Sequence, residues 1–308
     1  MKDALNGTFV KTLTTLVGLT MVMSCVVKKK KKSESRWMAR SPRRRGTETF
    51  FLRYGAFWIV CFGLIVGMKW FLWFDKIHYI IVCVGLSLPL LLQPILAPGL
   101  TSDSDVTLWS RYSFKANVWI AIFSFIGNYW YTHYFYSVLK AQYTFPSWDF
   151  NGVPIAMFFA THFYFTFYHA LSNMVIRKIV TSYDYTNTRT IFLATVIVLM
   201  SYVTAYMETL TISGFTCYTF KDRGMVYALG SAFYGIYFIV SFPMFFRFDE
   251  RKTLWNSIVE SLATGMMVLL LLDFVRVCVV GEDLSIRLLR PCKSDASLTC
   301  APFTGKYC

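Results

Sequence analysis

Apolar residues run along this chain in long blocks separated by short polar loops. Seven blocks approach or exceed the roughly 20 residues a helix needs to cross a bilayer. They lie near residues 50–73, 77–97, 116–138, 153–176, 190–213, 225–246 and 256–280. In hydrocarbon every backbone N–H and C=O must be paired within the segment, which open sheets cannot achieve. The pattern therefore predicts an all-α fold, a polytopic transmembrane helical bundle with seven core spans. An eighth apolar run, 9–27, is shorter in effect because Lys11 and several Thr interrupt it. Lysines follow it at 28–32, where a cleaved signal peptide would carry small residues. It reads as an uncleaved N-terminal signal anchor. No Pro/Gly-rich linker divides the rest, so the expected organisation is a hydrophobic and polybasic extension, 1–34, and one membrane domain, 35–308, with a short Cys-containing tail.

Inside the blocks, polar residues fall at helical spacing. In 116–138 a stripe joins Asn117, Ser124, Asn128 and Tyr131, with His133 one turn further on. In 153–176 and just beyond, His162, Thr166, His169, Asn173 and Arg177 follow spacings of four, three, four and four. Such a line cannot face lipid. Glu208 is the carboxylate of the 190–213 block and shares a face with Ser201, Thr204 and Thr211. A charge at mid-membrane costs about 2.5–3.5 kcal/mol on insertion scales, so such a residue is a functional candidate by default. Tyr227, Ser231, Tyr234 and Ser241 line the next block, and Asp273 and Arg276 can pair in the last.

Each has a plainer reading. Asn117, Asn128 and Asn173 would serve as interhelical hydrogen-bond glue. Tyr and Trp would fill the core and form interfacial belts. Asp273 with Arg276 reads as a structural ion pair, and His133 fits interfacial hydrogen bonding as well as catalysis. Glu208 with His162 and His169 is harder to explain away, because three titratable groups on inward faces suggest proton chemistry or ion passage.

Composition agrees with a lipid environment. Of 308 residues 56% are hydrophobic, 19% aromatic and 16% charged, with a mean hydropathy of +0.47; a soluble domain carries about a quarter charged residues. The net charge of +14 could suggest nucleic acid, but its placement argues for topology instead. Ten Lys or Arg in 28–45 join Arg111, Lys115, Arg177, Lys178, Arg189, Arg247, Arg251 and Lys252 on one side, eighteen against nine on the other. By the positive-inside rule segment 28–45 is cytosolic, with membrane lipid as a partner and no nucleic acid. The tail then lies in a lumen, where Cys217, Cys292, Cys300 and Cys308 could form disulfides of unreadable connectivity. Cys25, Cys61, Cys83 and Cys278 read as apolar filler.

No phosphate-binding loop, dinucleotide fingerprint, HExxH or haem motif occurs, so no cofactor and no metal are expected. Two classes remain: an intramembrane enzyme that moves protons on a lipid, and a transporter or receptor with a polar cavity. A neutral Glu can act as general acid beside a His that takes or returns the proton, and aromatic faces can stabilise a carbocation. A transporter more often shows internal repeats and broken midplane helices, and neither is evident.

Residues 111–154, RYSFKANVWIAIFSFIGNYWYTHYFYSVLKAQYTFPSWDFNGVP, resemble the cycloeucalenol cycloisomerase family, the cyclopropyl sterol isomerases. The resemblance continues in order through THFYFTFYHALSNMVIRK (161–178), SYVTAYMETL (201–210), YGIYFIVSFPMFFRFDE (234–250) and LLDFVR (271–276), and more loosely through 36–58. Residues 1–34 and the cysteine tail depart from it. The resemblance implies a multi-pass enzyme of the endoplasmic reticulum membrane acting in sterol biosynthesis. It would open the 9β,19-cyclopropane ring of cycloeucalenol, a 4α-methyl cyclopropyl sterol, to obtusifoliol by proton transfer and without a cofactor. Residue roles do not come with the resemblance and rest on spacing and chemistry. The expectation is Glu208 as proton donor and His169 or His162 as acceptor or relay. Asn128, Tyr131, His133, Thr166, Asn173 and Tyr234 would position or line, and Trp130 would shield the cation. The alternatives are an enzyme like the sterol Δ8–Δ7 isomerases and a non-catalytic sterol-binding membrane protein.

Overall fold

A computed structural model describes residues 2–30, 34–138, 141–213, 218–220 and 230–277. Among them the chain is mainly helical: α1 (Lys2–Val26), α2 (Pro42–Gly67), α3 (Lys76–Leu96), α4 (Tyr112–Ile126), α5 (Thr132–Val138), α6 (Ile155–Ser182), α7 (Asn187–Ser213), α8 (Ser231–Arg247) and α9 (Leu254–Val275). By length and composition four are able to cross a membrane: α2, α3, the 187–210 part of α7, and α9. Their outward faces carry Phe57, Val60, Leu64, Ile81, Leu96, Ile191, Met266, Leu270 and Phe274, all exposed. Apolar surface on that scale suits hydrocarbon rather than water.

Local chemistry sets the helix ends. Pro42 opens α2 eight residues before the apolar block, since a missing N–H costs nothing in a first turn. Lys69 then adopts a left-handed φ of 58°, ending the run short of residue 73. Asp75 caps α3 by accepting from the N–H groups of Ile77 and His78, each at 2.9 Å. Thr253 and Asn256 form a reciprocal capping box on α9. The start of α4 is capped from a distance: Asp103, fully buried in the preceding loop, accepts from Ser113 N at 3.0 Å and Ser113 Oγ at 2.7 Å.

Helix α6 is the hub and packs against α2, α3, α4, α7 and α8. That position explains why its polar stripe is wholly buried. Helices α7 and α8 pair closely, as do α4 and α9. The N-terminal helix lies along α7, and Val27 closes a small cluster with Ile179, Phe192 and Val196. The basic segment is bonded to the α6–α7 turn: Lys30 N donates to Ser182 O at 3.0 Å, Asp184 N to Lys28 O at 3.0 Å, and Arg36 N to Thr181 Oγ1 at 3.2 Å. These contacts define a basic end of the bundle. At the far end two short antiparallel pairs form, β1 (Ala141–Tyr143) with β4 (Tyr218–Phe220), and β2 (Asp149–Phe150) with β3 (Val153–Pro154). The β2–β3 hairpin turns on Asn151 and Gly152, both at positive φ (52° and 67°), as a two-residue hairpin requires. Cys83 is buried, Cys61 half-buried and Cys25 exposed; Cys217, Cys278, the tail cysteines and Tyr227 lie outside the described residues.

Candidate active site

The stripe expected along residues 117–131 does not run straight. After Ile126 the stretch GNYWY (Gly127–Tyr131) forms a π turn before α5 begins. One extra residue per turn rotates everything that follows, a device often found at functional sites. Side chains satisfy the carbonyls that it loosens. Asn128 Nδ2 donates to Ser124 O at 3.0 Å and to Thr161 Oγ1 at 2.7 Å. Tyr237 Oη donates to Phe123 O at 3.2 Å. Gly127 is required here, because a Cβ would occupy the place of the Tyr237 hydroxyl. As a result Asn117 and Asn128 face α6, whereas Tyr131 turns toward α9 and donates its hydroxyl to Gly265 O.

The turn walls a small, partly open cavity lined by Tyr131, Tyr134, Phe135, Phe233, Tyr234, Tyr237 and Leu272. Its surfaces are flat aromatic faces set nearly edge-on to one another: Tyr131 and Tyr237 centroids lie 4.7 Å apart at 88°, and Phe135 and Tyr234 lie 5.7 Å apart at 80°. Tyr234 is both wall and donor. Its hydroxyl lies 3.1 and 3.0 Å from the two oxygens of Glu208 on α7. The tyrosine hydroxyl thus stands within reach of both carboxyl oxygens. Tyr143, Tyr164, Tyr168 and Tyr237 also stand near enough to feel the charge of Glu208.

The two histidines stand elsewhere on α6. His162 Nε2 lies 3.0 Å from Asn117 Oδ1, and its Nδ1 is buried without a partner. His169 has both nitrogens engaged, with Phe165 O at 2.8 Å and Ser241 Oγ at 3.0 Å. Trp119, Phe123, Phe165, Phe242 and Phe245 enclose its ring, with centroids 5.2–6.1 Å away. Neither histidine lines the cavity, and their hydrogen-bond partners are Asn117, Phe165 and Ser241 rather than Glu208. Thr166 donates to its own helix at Phe163 O, 2.9 Å away. His133 is half-buried, edge-on to Tyr136, with Nε2 unpartnered. Trp130 lies on the outer surface, 37% exposed and edge-on to Tyr129. Among the described residues no group of three or more His, Cys, Asp or Glu stands together as a metal site would.

No family model matches the chain, and no solved structure matches it. A cycloeucalenol cycloisomerase of Arabidopsis thaliana is 42% identical over 251 residues, covering 79% of this chain and 89% of that protein. The chain belongs to the cycloeucalenol cycloisomerase family.

In this cycloisomerase-family chain the lower part of the α6 stripe serves a different centre, at the basic end. Glu48 of α2, 2% exposed, receives Arg177 Nη1 at 2.8 Å, Arg177 Nη2 at 2.6 Å, Asn173 Nδ2 at 3.1 Å and Arg44 Nε at 3.1 Å. Arg44 also donates to Phe246 O at 2.8 Å, tying α2 to the end of α8. Sequence reasoning missed Glu48, because the first apolar block was taken to begin at residue 50. The signal was present in Arg177, a cation inside an apolar stripe that must find an anion. It also missed Tyr134, Phe135, Phe233, Tyr237 and Leu272 as cavity walls. Tyr237, one turn from Tyr234, was open to discovery by spacing; the others read as ordinary apolar or belt residues.

Proposed function

We propose that this chain is an intramembrane isomerase that opens the 9β,19-cyclopropane ring of cycloeucalenol to give obtusifoliol. Family membership supports the reaction, and the observation that supports the site is the Glu208–Tyr234 pair at the wall of an aromatic cavity.

The chemistry is redox-neutral. A proton is delivered to C19, and the C9–C19 bond breaks with its electron pair forming the new C–H bond of the 19-methyl group. Positive charge develops at C9. Loss of the proton on C8 lets that C–H pair become the Δ8 double bond. Substrate and product are isomers, so the relay must give one proton and take one back, both on the β face. The protonated Glu208–Tyr234 pair does both: the Tyr234 proton moves to C19 as Glu208 reprotonates the tyrosine oxygen, and the reverse shift collects the C8 proton. Tyr131 and Tyr237 present faces to the cation, each worth about 0.5–2 kcal/mol, in the role the sequence had suggested for the outward Trp130. Asn128 holds the π turn in place. His162 and His169 act by holding α6 to α4 and α8, and so position the site rather than touch the sterol. Asn173 and Thr166 act the same way, and His133 borders the far-end rim.

The remaining helical segments, α4 through α5, α6 and α8, complete seven spans in this reading. The gathering of residues 28–30 and 34–45, Lys115, Arg177 and Lys252 at one end supports a cytosolic placement of that end, in the endoplasmic reticulum membrane.

The test is expression in membranes of a host lacking cyclopropyl sterols, supplied with cycloeucalenol in D₂O and analysed by gas chromatography–mass spectrometry. Obtusifoliol carrying one deuterium is the expected product. Cycloeucalenol bound by well-folded protein yet returned unchanged would replace this reading with a sterol-binding protein.

A further inference from the structure

Tyr134 of α5 and Leu272 of α9 also line the cavity, and the relay uses neither. Tyr134 stands near enough to Asp273 and Arg276 to feel both charges. Arg276 Nη2 holds Asp273 Oδ1 at 2.6 Å. The arginine is 7% exposed, and its Nε is buried without a partner. An unpaired buried guanidinium N–H is costly and invites an acceptor. The sequence suggested only a structural ion pair here. Arg276 follows the cavity-lining Leu272 by one helical turn, which brings its idle donor near that wall.

The substrate supplies what is missing. A sterol is apolar throughout except for one hydroxyl, on C3. The reacting C9–C19 bond belongs to the cyclopropane on the C9–C10 edge of ring B, one ring away from that group. A site that takes rings A and B must therefore offer an acid near the cyclopropane and a hydroxyl partner at the ring A end. A hydroxyl both donates and accepts. Arg276 Nε–H can donate to it, while Asp273 Oδ2 or the Tyr134 oxygen can accept from it. Pairing with Asp273 also offsets the arginine charge, which would otherwise oppose a cation forming one ring away.

We infer that Tyr134, Asp273 and Arg276 form the anchor for the sterol 3β-hydroxyl, which sets the distance between ring A and the Glu208–Tyr234 relay. This deepens the cavity reading above and rests on it. The anchor positions substrate and takes no part in the proton transfers.

The experiment compares cycloeucalenol with its 3-deoxy analogue on the full-length membrane-inserted protein, as wild type, Arg276→Gln, Tyr134→Phe and Glu208→Gln. In the wild type, removing the hydroxyl should raise KM about tenfold or more, with a smaller change in kcat. Arg276→Gln should raise KM for cycloeucalenol by a similar factor and leave KM for the 3-deoxy sterol nearly unchanged, because the interaction is already gone. Where Arg276→Gln does not fold, Tyr134→Phe makes the same comparison with a smaller factor. A wild type indifferent to the 3-hydroxyl overturns the anchor, as does a variant that loses equal activity on both sterols. Neither result touches the relay. Glu208→Gln retaining turnover on cycloeucalenol would overturn the cavity reading itself, whatever the 3-deoxy sterol does.

Discussion

Two carboxyl groups inside the bundle, the buried Glu48 and the half-buried Glu208, lie at opposite ends in contrasting company. Glu48 receives four N–H donors from Arg44, Arg177 and Asn173, so its charge is compensated and its geometry locked. Glu208 meets one neutral hydroxyl, that of Tyr234, among aromatic rings. It can gain or lose a proton without breaking an ion pair. The comparison teaches that burial alone does not mark a catalytic acid. What matters is whether the partners leave the proton free to move and whether a cavity lies within reach. Glu48 ties α2 to α6 and, through Arg44, to α8; Glu208 stands one hydroxyl away from empty space.

Four substitutions would break or sharpen that contrast. Glu48→Ala strands two buried guanidinium groups and should destabilise the protein by roughly 3–5 kcal/mol. Thermal unfolding in detergent should register the loss, while turnover per folded molecule stays near wild type. Glu208→Gln should do the opposite, lowering turnover of cycloeucalenol by about 10²–10⁴-fold with little change in the unfolding midpoint. If it unfolded as readily as Glu48→Ala and the folded remainder still turned over normally, the two ends would not differ in kind. Gly127→Ala forces the Tyr237 hydroxyl to move, and overpacking of this sort costs about 1–3 kcal/mol. It should lower stability and turnover together, since the π turn both seals the core and shapes the cavity. Ser241→Ala removes the Nε2 partner of His169 and should cost about 1 kcal/mol of stability, with activity per folded molecule preserved. A tenfold fall in kcat at unchanged stability would instead move His169 into the chemistry.

Much of this was legible in the chain. The apolar blocks marked the helices to within several residues. The α6 spacing of His162, Thr166, His169, Asn173 and Arg177 correctly marked one buried face. Glu208 was visible as the carboxylate of its block, and Tyr234 as a polar residue on the next. Helical spacing could not say that the α6 stripe divides among three neighbours. His162 meets α4, His169 meets α8, and Asn173 with Arg177 meets α2. Nor could it see the π turn, because an i to i+4 rule assumes the register that the turn breaks.

By itself the sequence determined the solvent, the helical class, the family and the residue types available for proton transfer. Those follow from local quantities: block length against bilayer thickness, charge placement and runs of specific residues. Only the tertiary structure decided which carboxyl is locked and which stands beside a cavity. It also decided that Tyr131 turns to α9 while Asn128 stays with α6. The reason is that a hydrogen bond in lipid is a relation between helices. Gly127 leaves room for a hydroxyl that arrives from α8, more than a hundred residues further along the chain.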